Sequence, residues 1–264
     1  MLEVKHVSKT FNPGTVNEKK ALDDISLRLE DGDFVTVVGG NGAGKSTLLN
    51  MIAGVYPIDC GHIVLNDKEI STDPEYKRAR FIGRVFQDPL MGTAGDMAIY
   101  ENMAMANRRG KPRGLRWNVT AQEKEDFKSR LARLGLGLED RLTAKVGLLS
   151  GGQRQALTLL MASLQRPELL LLDEHTAALD PLTARKVLEL TEEIVQEEHL
   201  TTLMITHNMN DAIRIGNRLI MMYDGKIILD VRDEEKQKLT VEALHQKFRE
   251  AANEEFSDDR AVLI

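Results

Sequence analysis

Apolar and polar residues alternate at the start of the chain, with Leu2 and Val4 and then Ile25, Leu27 and Leu29 in step. A period of two sends successive side chains to opposite faces, so these segments read as strands with one face buried. Phe34-Val35-Thr36-Val37-Val38 is an unbroken run, as expected of a strand covered on both faces. Leu48, Leu49, Met51 and Ile52 follow with helical spacing, and residues 61–66 and 80–86 read as further strands. From about residue 88 to 164 the pattern becomes helical, around 99–108, 121–134 and 153–164. Gly110, Pro112 and Gly114 mark the loop between the first two of these helices. Strand and helix then alternate through 169–172, 181–198, 201–205, 211–215 and 219–222. Asp224-Gly225 signals a hairpin turn between 219–223 and 226–230, and a short tail carries a helical stretch at 241–252. The pattern predicts a mixed α/β core interrupted by a helical insertion.

Composition narrows the setting. Hydrophobic content of 42% and charged content of 29% suit a globular chain, and no apolar run approaches the ~20 residues a spanning helix needs. A net charge of -6 argues against a nucleic-acid partner, which announces itself as a basic excess. The single cysteine, Cys60, excludes an internal disulfide and reads as a small residue in a turn before a strand. Met1 runs straight into the first strand pattern without a leader, so the expected location is the cytoplasm, with any membrane attachment made through a partner.

The chemistry begins at Gly39-Gly40-Asn41-Gly42-Ala43-Gly44-Lys45-Ser46-Thr47, between the buried strand and the helix. Gly39 and the Gly44-Lys45-Ser46 triplet have the spacing of a phosphate-binding loop. Glycines let backbone N–H groups converge on phosphate oxygens, and the helix N-terminus adds a partial positive charge. Lys45 supplies a point charge for the β- and γ-phosphates, and the Ser46 hydroxyl is the expected magnesium ligand. Such a loop says nucleotide and little more.

Leu149-Ser150-Gly151-Gly152-Gln153 decides further. It opens a long helical pattern, with Ser150 as a possible N-cap, and soon after comes Leu169-Leu170-Leu171-Leu172-Asp173-Glu174, a buried strand ending in two acids. A carboxylate at such a strand tip holds magnesium through water. Together with the phosphate loop, these segments closely resemble the ABC ATPase family. Other marks of that family match across nearly the whole chain. Gln87 in Phe86-Gln87-Asp88-Pro89 corresponds to the glutamine loop, Ala178-Leu179-Asp180 to the D-loop, His207 to the switch histidine, and Phe11 to an aromatic that stacks on adenine. Two positions depart from the common pattern: His175 stands where most relatives have proline, and Ala177 where they have serine.

The resemblance implies a P-loop NTPase core of ABC type, with an N-terminal antiparallel β-subdomain and a helical insertion. One ABC ATPase domain would span residues 1–264, with the core at 1–87 and 165–230, the helical signature part at 88–164 and a short extension at 231–264. It implies two copies closing head to tail on ATP and Mg2+. Each nucleotide would then lie between one copy's residues 39–47 and the other's Ser150, Gly151, Gly152 and Gln153. Glu174 would be the general base, His207 would hold the γ-phosphate and the attacking water, and Ser46, Gln87 and Asp173 would serve the metal. His175 is read as a spacer that tunes its loop.

Further implied partners are integral-membrane permease subunits and, indirectly, an extracellular substrate-binding protein. Met91, Met97, Met103 and Met105 offer either an adaptable docking groove or core filling. Arg108, Arg109, Lys111, Arg113 and Arg116 form a basic loop, either a solvated face or a neighbour of anionic lipid headgroups. A chain with one cassette and a short insertion fits a transport subunit, in particular a bacterial importer branch of which some systems are linked to aromatic amino acids. An iron–sulfur assembly ATPase is the alternative.

Overall fold

The computed structural model describes residues 1–111 and 119–261, with side chains as far as residue 252. The first elements are β1 (Leu2–Phe11), β2 (Lys19–Leu29), β3 (Phe34–Gly39), α1 (Lys45–Ala53), β4 (Cys60–Leu65) and β5 (Lys68–Glu69). Next come α2 (Glu75–Arg78), β6 (Ile82–Val85), α3 (Ile99–Asn107), α4 (Ala121–Ala132), α5 (Gly151–Ser163), β7 (Leu169–Asp173) and α6 (Pro181–Glu198). The chain ends with β8 (Thr202–Ile205), α7 (Met209–Arg214), β9 (Arg218–Tyr223), β10 (Lys226–Arg232), α8 (Asp233–Gln237) and α9 (Val241–Ala261). These elements form two units, one made of residues 1–73 and 201–264, the other of residues 74–200.

The first unit holds an antiparallel sheet ordered β2-β1-β4-β5 and, separately, the strand order β10-β9-β3-β8. The β3 strand runs parallel to both β8 and β9, which explains its apolar character on both faces. Thr36 is its one polar core residue, and its hydroxyl donates 2.8 Å to the Ala212 carbonyl. The hairpin between β9 and β10 turns at Asp224 and Gly225, both with positive φ (39° and 72°), as a two-residue turn of this twist requires. The tail is fastened to this unit. Leu244 of α9 is fully buried with Val38, Ala212, Leu219 and Met221, and Phe248 meets Tyr223 edge to face at 5.3 Å.

In the second unit β6 and β7 pair in parallel, from Ile82 opposite Leu169 to Val85 opposite Leu172. Ile99, Met103, Phe127, Leu131, Leu157 and Leu160 form the helical core. Thr120 caps α4 by accepting from the Glu123 N–H at 3.1 Å, while the Glu123 carboxylate accepts from the Thr120 N–H at 2.8 Å. Buried Gln155 ties α5 to the end of β6 by donating to the Phe86 carbonyl at 3.2 Å. Cys60 is the exposed first residue of β4, not a turn residue before it, because strand pairing with Ser8 extends that far. No helix among the described residues is long and apolar enough to cross a membrane.

Candidate functional site

The loop after β3 is fixed by close backbone approach. A Cβ at Gly39 would lie 2.3 Å from the Met222 carbonyl oxygen, and one at Gly44 would lie 2.5 Å from that of Ala21. Only glycine fits at either place. Gly44 brings no side chain to cap α1, and no acid stands in that helix's first turn, so an anion is the natural complement of its N-terminus. Lys45 is 5% exposed, and its ammonium donates to the Gly39 and Gly40 carbonyls at 2.8 and 3.0 Å. The charge is thereby stored on the loop that a phosphate would enter.

In the same unit Phe11 closes β1 and meets Tyr56 edge to face, centroids 5.3 Å apart, leaving a partly exposed aromatic pair. Tyr56 carries no motif and escaped the sequence reading. His207 follows β8 and is exposed. Before it, the Thr206 N–H donates to the Val37 carbonyl at 3.1 Å, and after it Asn208 caps α7.

The second unit carries the acids. Asp173 ends β7, and the Arg84 guanidinium of β6 lies 3.7 Å from its carboxylate. Glu174 has φ 47°, a left-handed conformation uncommon outside glycine, and its carbonyl accepts from the Ala177 N–H at 2.9 Å. His175 turns inward, 2% exposed, with Nε2 at 3.1 Å from the Thr191 hydroxyl oxygen. That hydroxyl donates its own proton to the Val187 carbonyl at 2.7 Å, so it accepts from Nε2–H. Burial lowers the His175 pKa to about 4, and the ring is a neutral anchor between the acidic turn and α6.

Asp180 caps α6 by accepting from the Thr183 N–H at 3.1 Å, and bonds from Thr183 hold its carboxyl below the usual range. Ser150 and Gln153 form a reciprocal cap on α5, at 3.3 and 3.2 Å. Gly152 lets α5 approach α6 closely, since a Cβ there would lie 2.0 Å from the Thr183 methyl and would force that side chain to shift. Gln87 is exposed just past β6.

Beside it Phe86, Met91, Met105 and Thr158 line a groove of about 510 Å³. The methionines divide: Met91 and Met105 are 70% and 49% exposed, whereas Met103 is fully buried core. In the basic loop Lys111 is exposed, whereas the two arginines before it are engaged. Arg108 pairs with Glu123 at 3.0 Å, and Arg109 is drawn inward to the Ala162 carbonyl at 3.0 Å, while Arg113 and Arg116 lie outside the described residues.

Residues 22–177 match the family model described as ABC transporter. The chain is 46% identical over 252 residues to a tyrosine transport ATP-binding protein of Clostridioides difficile, covering 95% of this chain and 100% of that protein. It is 34% identical over 235 residues to the carnitine transport ATP-binding protein OpuCA of Listeria monocytogenes, covering 89% of this chain and 56% of that one. A solved ATP-binding cassette, dimeric and in a post-hydrolysis state with ADP and Pi, is similar at a TM-score of 0.75 and 27% identity, covering 88% of this chain and 98% of that one. The matched relatives are transport subunits, so the iron–sulfur alternative finds no support. The chain belongs to the ABC transporter family and is one of its ATP-binding, ATP-hydrolysing subunits.

Proposed function

We propose that this subunit powers a bacterial importer for an aromatic amino acid, from the cytoplasmic face of the membrane and through partner permease subunits. The observation that carries the reading is the 46% identity spanning the full length of a tyrosine transport subunit. Phe11 stacks on adenine, residues 39–47 hold the phosphates, and the Lys45 ammonium leaves its loop carbonyls for the β- and γ-phosphates. By the family pattern the Ser46 hydroxyl, the Gln87 amide oxygen and, through water, the Asp173 carboxylate would hold magnesium, a hard cation that such oxygen donors suit. The Asp173 carboxylate already faces a cation, the Arg84 guanidinium at 3.7 Å. The metal would neutralise charge on the phosphates. Glu174 takes the proton of the attacking water and His207 holds it in line. Ser150, Gly151, Gly152 and Gln153 contact the nucleotide of a second copy, so closure follows ATP and reopening follows hydrolysis. The groove at Met91 and Met105 receives a short helix of the permease, which in turn works with an extracellular substrate-binding protein.

Glu174→Gln keeps size and hydrogen bonding but cannot accept the water proton, so hydrolysis should fall by about 10²–10⁴ while ATP still binds. The variant should elute as a dimer with ATP and magnesium and as a monomer with ADP, and adding Ser150→Arg should abolish the dimer. In cells carrying the permease, Glu174→Gln should also stop accumulation of labelled tyrosine. A dimer that survives Ser150→Arg would overturn the closure mechanism, and undiminished tyrosine uptake would overturn the substrate.

A further inference from the structure

Lys19 opens β2, and its Cα is paired with that of Phe11 across the hairpin. Its ammonium reaches the phosphate loop: a Cβ built on Gly42 would lie 3.0 Å from Lys19 Nζ, with no other non-neighbouring atom within 4 Å. One side chain therefore starts opposite the aromatic assigned to adenine and ends at the loop assigned to phosphate. Gly42 is in the left-handed region (φ 82°), so the loop both turns and leaves the space that the ammonium occupies.

The electrostatics of this position are one-sided. Among the described residues Lys19 forms no ion pair, whereas its neighbour Lys20 is held by Asp23. Successive strand residues face opposite ways, which explains how adjacent lysines reach such different surroundings. Around Lys19 the field is positive already, from Lys45 and from the N-terminus of α1. A second ammonium is unfavourable there until an anion arrives, and a nucleoside di- or triphosphate brings several negative charges at once.

We propose that Lys19 is a nucleotide-binding residue, a second cation that contacts the phosphate chain from the adenine side while Lys45 contacts it from within the loop. The proposal rests on the reading that Phe11 and residues 39–47 hold the nucleotide. The contact is charge-assisted and solvent-accessible, so it strengthens binding and weakens as salt screens it.

The test is calorimetric titration with MgADP at low and moderate salt, using Lys19→Met, Lys20→Met, Lys19→Arg and Lys45→Ala. Lys19→Met and Lys20→Met remove the same charge from adjacent, exposed positions, so a general field effect would move both alike. Lys19→Met should weaken binding about fivefold to tenfold at low salt, and less at moderate salt, with Lys20→Met within about twofold of the parent and Lys19→Arg close to it. Equal losses for the two methionine variants, or Lys19→Met binding as the parent does, would overturn the proposal. Lys45→Ala reports on the underlying reading: if it binds MgADP as tightly as the parent, the phosphate-loop assignment and this inference fall together.

Discussion

His175 shows what a single residue does when it turns from the chemistry beside it. Its ring is neutral and anchored to Thr191, with burial lowering its pKa to about 4. In the unfolded chain the ring titrates near its ordinary value of 6.5. Between these two values the unfolded chain binds a proton that the fold refuses, so stability rises with pH across this window. The contribution is full above about 6.5, declines as the pH falls toward 4 and is flat below, with a total of about 3 kcal/mol. His175→Gln can still donate to Thr191 but does not titrate, so urea midpoints measured from pH 7 to 4 should lose that part of their slope. An unchanged slope would assign it to other groups. The motif residues were legible in the sequence because phosphate and proton chemistry admit few side-chain types at fixed spacing. Arg84 beside Asp173, Tyr56 against Phe11 and Lys19 at Gly42 were not legible, since strand pairing and distant loops create those contacts.

At the scale of elements, the second glycine of Ser150-Gly151-Gly152 serves the approach of α5 to α6. Gly152→Ala would place its methyl 2.0 Å from that of Thr183, and overpacking of this kind costs about 1–3 kcal/mol. Thr183→Ser removes the opposing methyl and keeps the hydroxyl, so the double variant should recover most of the loss in thermal unfolding. If the double variant is as unstable as Gly152→Ala alone, the clash is not the cause. Long periodic elements were legible: α6 is Pro181–Glu198, as its proline start and apolar spacing predict. The two-residue β5 and the single-turn helices α2 and α8 are too short to show a period, and tertiary contacts define them. The tail helix α9 runs to Ala261, past the 252 predicted, because its final residues are polar and carry no apolar rhythm.

For the whole molecule, the decisive feature is that the first unit is built from both ends of the chain, residues 1–73 and 201–264. The β3 strand, which leads into the phosphate loop, takes both of its parallel neighbours, β8 and β9, from the second segment. A fragment of residues 1–200 should therefore be insoluble, and co-expression with 201–264 should raise its soluble fraction. A soluble 1–200 fragment unaffected by its complement would show that β3 has another cover. On the ribosome this arrangement becomes a matter of time. Phe34 pairs with Thr202 of β8, the earlier made of the two neighbours, and at about 5–20 residues per second that partner is made roughly ten to thirty seconds later. During that wait the most apolar strand of the amino-terminal segment hangs unpaired from a growing chain, so synthesis speed and the supply of chaperones that shield nascent chains set the yield of this subunit.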